Sequence, residues 1–178
     1  MATKTWALDP THSEVQFKIK HLMITNVTGS FDIFTVSAQT EGEDFSKAKI
    51  SFTADVNSIS TNNEQRDGHL KSADFFDAEK FPQIKFEATK SENVDSDGSY
   101  ELYGDLTIRD VTKNVKLSVE FGGVVQDAYG NTKAGFTING KINRKDFGLT
   151  WSAVTEAGGV VVSDEVRIAV EIQLIEQA

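Results

Sequence analysis

Cysteine is absent from the 178 residues, proline occurs twice and histidine three times. No segment is long and apolar enough to cross a bilayer, so no stable membrane insertion is expected. Without cysteine there are no disulfides, thiolate nucleophiles or thiolate metal sites. The redox compartment stays open. His12, His21 and His69 show none of the paired spacings that convergent metal ligation uses, so no metal site is expected. Also missing are a Gly-x-Ser-x-Gly elbow, a phosphate-cradling glycine loop and a dinucleotide fingerprint. The sequence therefore reads as that of a protein that is not an enzyme and carries no cofactor.

An apolar leader is lacking too: Met1-Ala2-Thr3-Lys4-Thr5-Trp6 runs straight into polar sequence, which as written places the protein in the cytoplasm. A mature form with its leader trimmed and a methionine restored would read the same and be periplasmic. Basic residues are in deficit, 18 against 27 acidic ones, for a net charge of -9 and a pI near 4.8. Such a field repels phosphate backbones, so nucleic acid is not an expected partner.

What is present is alternation. At 39% hydrophobic and 25% charged residues the chain has an ordinary globular composition, and its length suits one domain over 1–178. Val15, Phe17 and Ile19 alternate with Glu14, Gln16, Lys18 and Lys20; Ile50, Phe52, Ala54 and Val56 alternate with Lys49, Ser51, Thr53 and Asp55. The period of two returns at 84–88, 102–108, 115–121, 134–142 and 166–174, each time turning one face inward and the other to solvent. With a weaker strand at Thr3 to Leu8 and a glycine-bent one from Val27 to Phe34, the count reaches about eight or nine. That is the number a small closed barrel uses. Asp9-Pro10, Asp95-Ser96-Asp97-Gly98, Asp127-Ala128-Tyr129-Gly130-Asn131 and Gly158-Gly159 supply the turns.

One segment breaks the rhythm, from about Ser60 to Pro82. Thr61 and Glu64 have the spacing of a capping box, which predicts a short helix over Gln65 to Lys71, and Asp74 is placed to cap a second turn. The insert, near residues 61–80, carries Leu70, Phe75, Phe76 and Phe81, apolar material for a barrel mouth. Arg66 and His69 stand close together on it. They suit a phosphate or carboxylate head group, or else Arg66 pairs with a neighbouring Asp and fixes the insert. His21 continues the inward face of its strand, to meet either a ligand or a backbone carbonyl. Twelve phenylalanines, many at inward positions, serve equally for a packed core or for the wall of a ligand cavity.

The ordered series Asp9, His12-Ser13, Phe17, His21, Gly29, Phe31, Asn57-Ser58-Ile59, Arg66-Asp67, His69-Leu70, Asp74-Phe75-Phe76 and Pro82 resembles the YceI-like family. The likeness continues at Gly104, Leu106-Thr107-Ile108, Val111-Thr112-Lys113, Arg144 and Phe147-Gly148. Asp110 stands where the family commonly has glycine. The resemblance implies an all-β fold, a single antiparallel lipocalin-like β-barrel of about eight strands around a hydrophobic tunnel. It also implies a long-chain isoprenoid-type lipid as partner and a homodimer of the kind frequent among its members; it does not imply catalysis, and many relatives are exported to the periplasm. The residues expected to touch the ligand are Phe17, Ile19, His21, Phe31, Phe52, Arg66, His69, Leu70, Phe75, Phe76, Phe86, Phe136 and Trp151. Two alternatives stand beside carriage: a filled barrel serving as an interaction or stress-response module, and a hydrolase or isomerase acting on an apolar substrate with His21 or His69 as base.

Overall fold

The computed structural model describes residues 3–21, 24–42, 44–149 and 162–177, with no side-chain description for His21 and Val162. Among the described residues eleven strands form one sheet. In chain order they are β1 (Thr3–Leu8), β2 (Glu14–His21), β3 (Thr25–Phe31), β4 (Phe34–Glu41), β5 (Asp44–Asp55), β6 (Ile59–Ser60), β7 (Gln83–Glu92), β8 (Tyr100–Ile108), β9 (Val111–Gln126), β10 (Thr132–Asn143) and β11 (Val162–Glu176). Neighbours run β1-β4-β5-β7-β8-β9-β10-β11, and β11 pairs back onto β1, closing an antiparallel ring of eight. This is the expected lipocalin-like barrel.

The three remaining strands follow from one interruption. β1 and β2 both run antiparallel to β11, with Leu8 opposite Leu174 and Glu14 opposite Glu171, so they are successive pieces of one long strand. Between them Asp9 caps a 3-10 turn at Pro10–His12, accepting from the Thr11 amide. β2 continues toward the other end of the barrel and carries β3 and the short β6 with it.

The bent strand expected from Val27 to Phe34 is in fact two, β3 and β4, separated by a bend at Asp32 and Ile33. β4 hides in the sequence because its inward residues Phe34, Val36, Ala38 and Thr40 alternate with the uncharged Thr35, Ser37 and Gln39, and a charge comes only at its end, at Glu41. The β8–β9 turn explains Asp110. The left-handed conformation falls on Arg109, at φ 56°, so the position after it needs no glycine.

The predicted helix is α1 (Glu64–Lys71), but its cap differs from expectation. Asn63, not Thr61, accepts from the Arg66 amide. Thr61 is taken up elsewhere: its amide and hydroxyl both donate to Asp67. No second helical turn follows Asp74; residues 73–76 are turns. Among the described residues, no helix is long and apolar enough to cross a membrane.

Candidate functional site

The two ends of the ring are finished differently. Thr3, Glu41, Phe45 and Tyr100, at or next to strand ends, gather at one end, where Trp6, Phe45, Phe121 and Phe136 pack ring against ring. Phe45 lies 4.9 Å from Trp6 and 4.9 Å from Phe136 between centroids, and Phe121 lies 5.4 Å from Phe136. Trp6 is 1% exposed and its indole N–H is satisfied by the Thr40 hydroxyl at 2.9 Å. This end is plugged. A further tie sits beside it, where buried Asp9 accepts from Lys133 Nζ at 2.8 Å and contacts His12 Nδ1 at 2.8 Å. The bond from Lys133 leads in holding the Asp9 carboxyl well below the usual carboxylate range, with burial opposing it.

Above the plug the barrel is hollow. A cavity of about 390 Å³ runs up the axis, lined almost wholly by apolar side chains. That is within the size range of ligand pockets and far beyond packing defects. The open end carries the insert, seated on β3 by the edge-on contact of Phe76 with Phe31 at 5.9 Å. Phe17 and Phe31 lie 5.5 Å apart on the wall beside it.

Glycine keeps the lumen clear at two points. Gly29 is directly opposite Phe17, and a Cβ there would collide with the Phe17 ring; a Cβ at Gly104 would collide with the Phe86 ring in the same way. Each ring therefore lies across the neighbouring strand instead of filling the tunnel.

Phe17, Ile19, Phe31, Phe52, Arg66, His69, Leu70, Phe75, Phe76, Phe86 and Phe136 all line this cavity. Trp151 and the His21 side chain lie outside the described residues. Phe81, expected at the mouth, instead faces Arg109, whose guanidinium is 5.9 Å from its ring centroid. Among the described residues Arg66 pairs with no aspartate: its guanidinium donates to the Thr61 hydroxyl at 2.8 Å and the Thr61 carbonyl at 2.7 Å. His69 Nε2 is 2.8 Å from an Asp74 carboxylate oxygen, and the ring meets Phe75 edge-on at 5.1 Å. Arg66 and His69 thus fix the insert while also facing the tunnel.

Sequence reasoning missed several wall residues. Val36 and Ala38 lie on β4, Tyr100 sits one step before the run that starts at Leu102, and Phe45 is out of phase with Ile50 and Phe52, beyond a register shift in the β4–β5 pairing. Burial, with Asp44 nearby, pushes the Tyr100 hydroxyl up to about 12, so it faces the tunnel uncharged. Arg144 lines the cavity at the open end, 2% exposed. Its guanidinium donates to the Leu149 carbonyl at 2.6 Å and the Ser163 carbonyl at 3.0 Å, and burial lowers its affinity for the proton. No pattern around Arg144 marks it as inward. Among the described residues no group of His, Asp and Glu is arranged to hold a metal ion.

The YceI-like domain matches residues 6–174. The chain belongs to the YceI-like family. The UPF0312 protein SA2479 of Staphylococcus aureus strain N315 is 40% identical over 163 residues, covering 91% of this chain and 92% of that one. The Campylobacter jejuni YCEI protein superposes with a TM-score of 0.76 at 36% identity, over 96% of this chain and 97% of that one. A polyisoprenoid binding domain from Saccharophagus degradans, at 15% identity and TM-score 0.64 over 97% of this chain and 98% of that one, shares the fold.

Proposed function

We propose that this YceI-like protein is a non-catalytic carrier that encloses one long apolar lipid chain, of isoprenoid type, in its barrel. The observation that carries the reading is the cavity of about 390 Å³ with an apolar wall, closed below by the aromatic plug. Each methylene removed from water contributes about 0.8 kcal/mol, so a flexible chain can be held without many directed contacts. Phe17, Ile19, Phe52, Phe86 and Phe136 would grip the chain along the wall, and Leu70, Phe75 and Phe76 would cover it at the mouth. The hollow lumen counts against the filled-barrel alternative. The polyisoprenoid-binding relative of the same fold agrees with the proposed ligand class. Native mass spectrometry of the purified protein, followed by organic extraction, tests the proposal. A prenyl lipid at near-stoichiometric amount is expected; protein that is reproducibly empty and ignores added geranylgeraniol would overturn it.

A second reading rests on the His69–Asp74 pair, a histidine facing the tunnel and oriented by a carboxylate. It would make the protein a hydrolase or isomerase of the bound chain. Nε2 is already engaged by Asp74, which favours a fastening role for His69. Recovery of a bound prenyl ester unchanged after long incubation would dispose of turnover.

A further inference from the structure

The barrel wall is split on one side. β9 pairs with β8 back to Val111, and β10 pairs with β11 out to Asn143, but β9 and β10 pair with each other only as far as Leu117 and Gly140. Beyond that point the two strands diverge toward the open end and leave a groove of about 840 Å³, with the buried Phe147 ring in its lining. Val115, Ile142 and Ile168 line both the groove and the tunnel. A single layer of aliphatic side chains therefore separates the outer surface from the lumen.

The charge around this split runs against that of the chain. On the outer face, Lys141 of β10 is directly opposite Arg167 of β11, which is directly opposite Lys18 of β2. Lys116 of β9 extends the row across the groove, and Lys113 stands at its edge. Like charges directly opposite one another destabilise a sheet. On a chain of net charge -9, such a row does not follow from composition. Among the described residues the acids beside it are partly committed elsewhere: Asp146 lines the groove and Glu165 lies 3.6 Å from Arg167 Nε, but Asp164 is 3.4 Å from Lys145 Nζ and Asp105 accepts from the Asn114 amide. The glutamates of the same face, Glu14 and Glu171, sit further toward the plugged end, beyond the neutral pair Gln16 and Ala169.

We propose that this groove seats the phosphate or diphosphate head group of an amphiphile whose chain enters the tunnel past Val115, Ile142 and Ile168. A phosphoryl group carries a charge of about -1.5 to -2 and relieves the repulsion within the row. Arg66 and His69, at the mouth, are already engaged by Thr61 and Asp74, whereas Lys113, Lys116 and Lys141 line the split. The proposal rests on the carriage reading above.

The test compares geranylgeranyl diphosphate with geranylgeraniol, titrated by calorimetry into the full chain, a Lys116→Gln/Lys141→Gln variant and a Lys47→Gln/Lys49→Gln variant. The last pair makes the same charge change on β5, across the barrel. The groove variant is expected to weaken the diphosphate by about tenfold or more, leave the alcohol unchanged, and differ from the β5 control. Inorganic pyrophosphate is expected to displace the diphosphate and not the alcohol. If both variants affect the diphosphate equally, or neither does, while the alcohol still binds, the head-group seat is wrong and carriage stands. If neither lipid binds the unmodified protein, carriage fails and this proposal with it. Pyrophosphate binding that leaves the lipid diphosphate in place would assign the groove to free phosphate and overturn the lipid head group.

Discussion

The plugged end and the open end of the barrel are built from the same residue type and do opposite things. At the plugged end Phe45 is surrounded by Trp6, Phe121 and Phe136, all held within the closed ring of strands, and the rings fill the space completely enough to leave Trp6 1% exposed. At the open end Phe17, Phe31 and Phe76 also meet, but Phe76 comes from the insert and Phe17 lies flat over Gly29, so the rings cover a wall around a void. Aromatic side chains stabilise the first region by packing against one another. In the second they present apolar surface that only a ligand would bury.

This contrast makes stability and uptake separable, and the largest expected effect tests it. Phe45→Ala should cost about 3–5 kcal/mol in urea unfolding, because it removes the centre of the plug and leaves a cavity no neighbour can fill. A loss below 1 kcal/mol would mean the plug does not hold the ring closed. At the other region, Phe17→Asp places a carboxylate on the tunnel wall and should weaken prenyl-lipid uptake by about a hundredfold, while Glu14→Ala, on the outer face of the same strand, leaves uptake intact. Equal behaviour of the two variants would show that β2 has the wrong face inward.

The tie beside the plug supplies a pH test. Asp9 titrates below its unfolded value, so its contribution is complete above a pH of about 4 and is lost as the pH falls through and below that value. Asp9→Ala should cost about 2 kcal/mol at neutral pH and flatten the acid limb of the stability profile. An unchanged acid limb would assign acid unfolding to other carboxylates. The smallest effect belongs to the insert. Asp74→Asn weakens a half-exposed pair and should change global stability by about 0.5 kcal/mol or less, yet raise amide exchange over residues 61–80. A large drop in melting temperature would show that the insert is part of the barrel's own stability and not a cover laid on it.

Legibility in the sequence followed the strength of the alternation. β2, β7, β8 and β10 alternate large apolar with polar residues, and their inward faces are readable as written, including Phe17, Phe86 and Phe136. β4 was lost because Thr35, Ser37 and Gln39 sit beside Val36 and Ala38, a pattern too mild to stand out from a loop. The helix was placed within one residue, but its cap moved from Thr61 to Asn63 because Asp67 and Arg66 both bind Thr61, a competition between side chains that spacing does not reveal. Arg144 could be found only through its resemblance to the family, since a lone arginine after a strand reads as solvated until Leu149 and Ser163 fold over it.

The sequence by itself determined that the protein is built of antiparallel strands with one apolar face, because period-two alternation turns every second side chain inward and the short turns are written in Asp, Asn and Gly. Two things were decided only by the tertiary structure. Whether the apolar face is filled or hollow depends on where rings come to rest, and Gly29 and Gly104 draw two of them against the wall. The split between β9 and β10 exists because strand divergence is a property of register among distant segments, and it is there that Lys116 and Lys141, unremarkable in the chain, become neighbours.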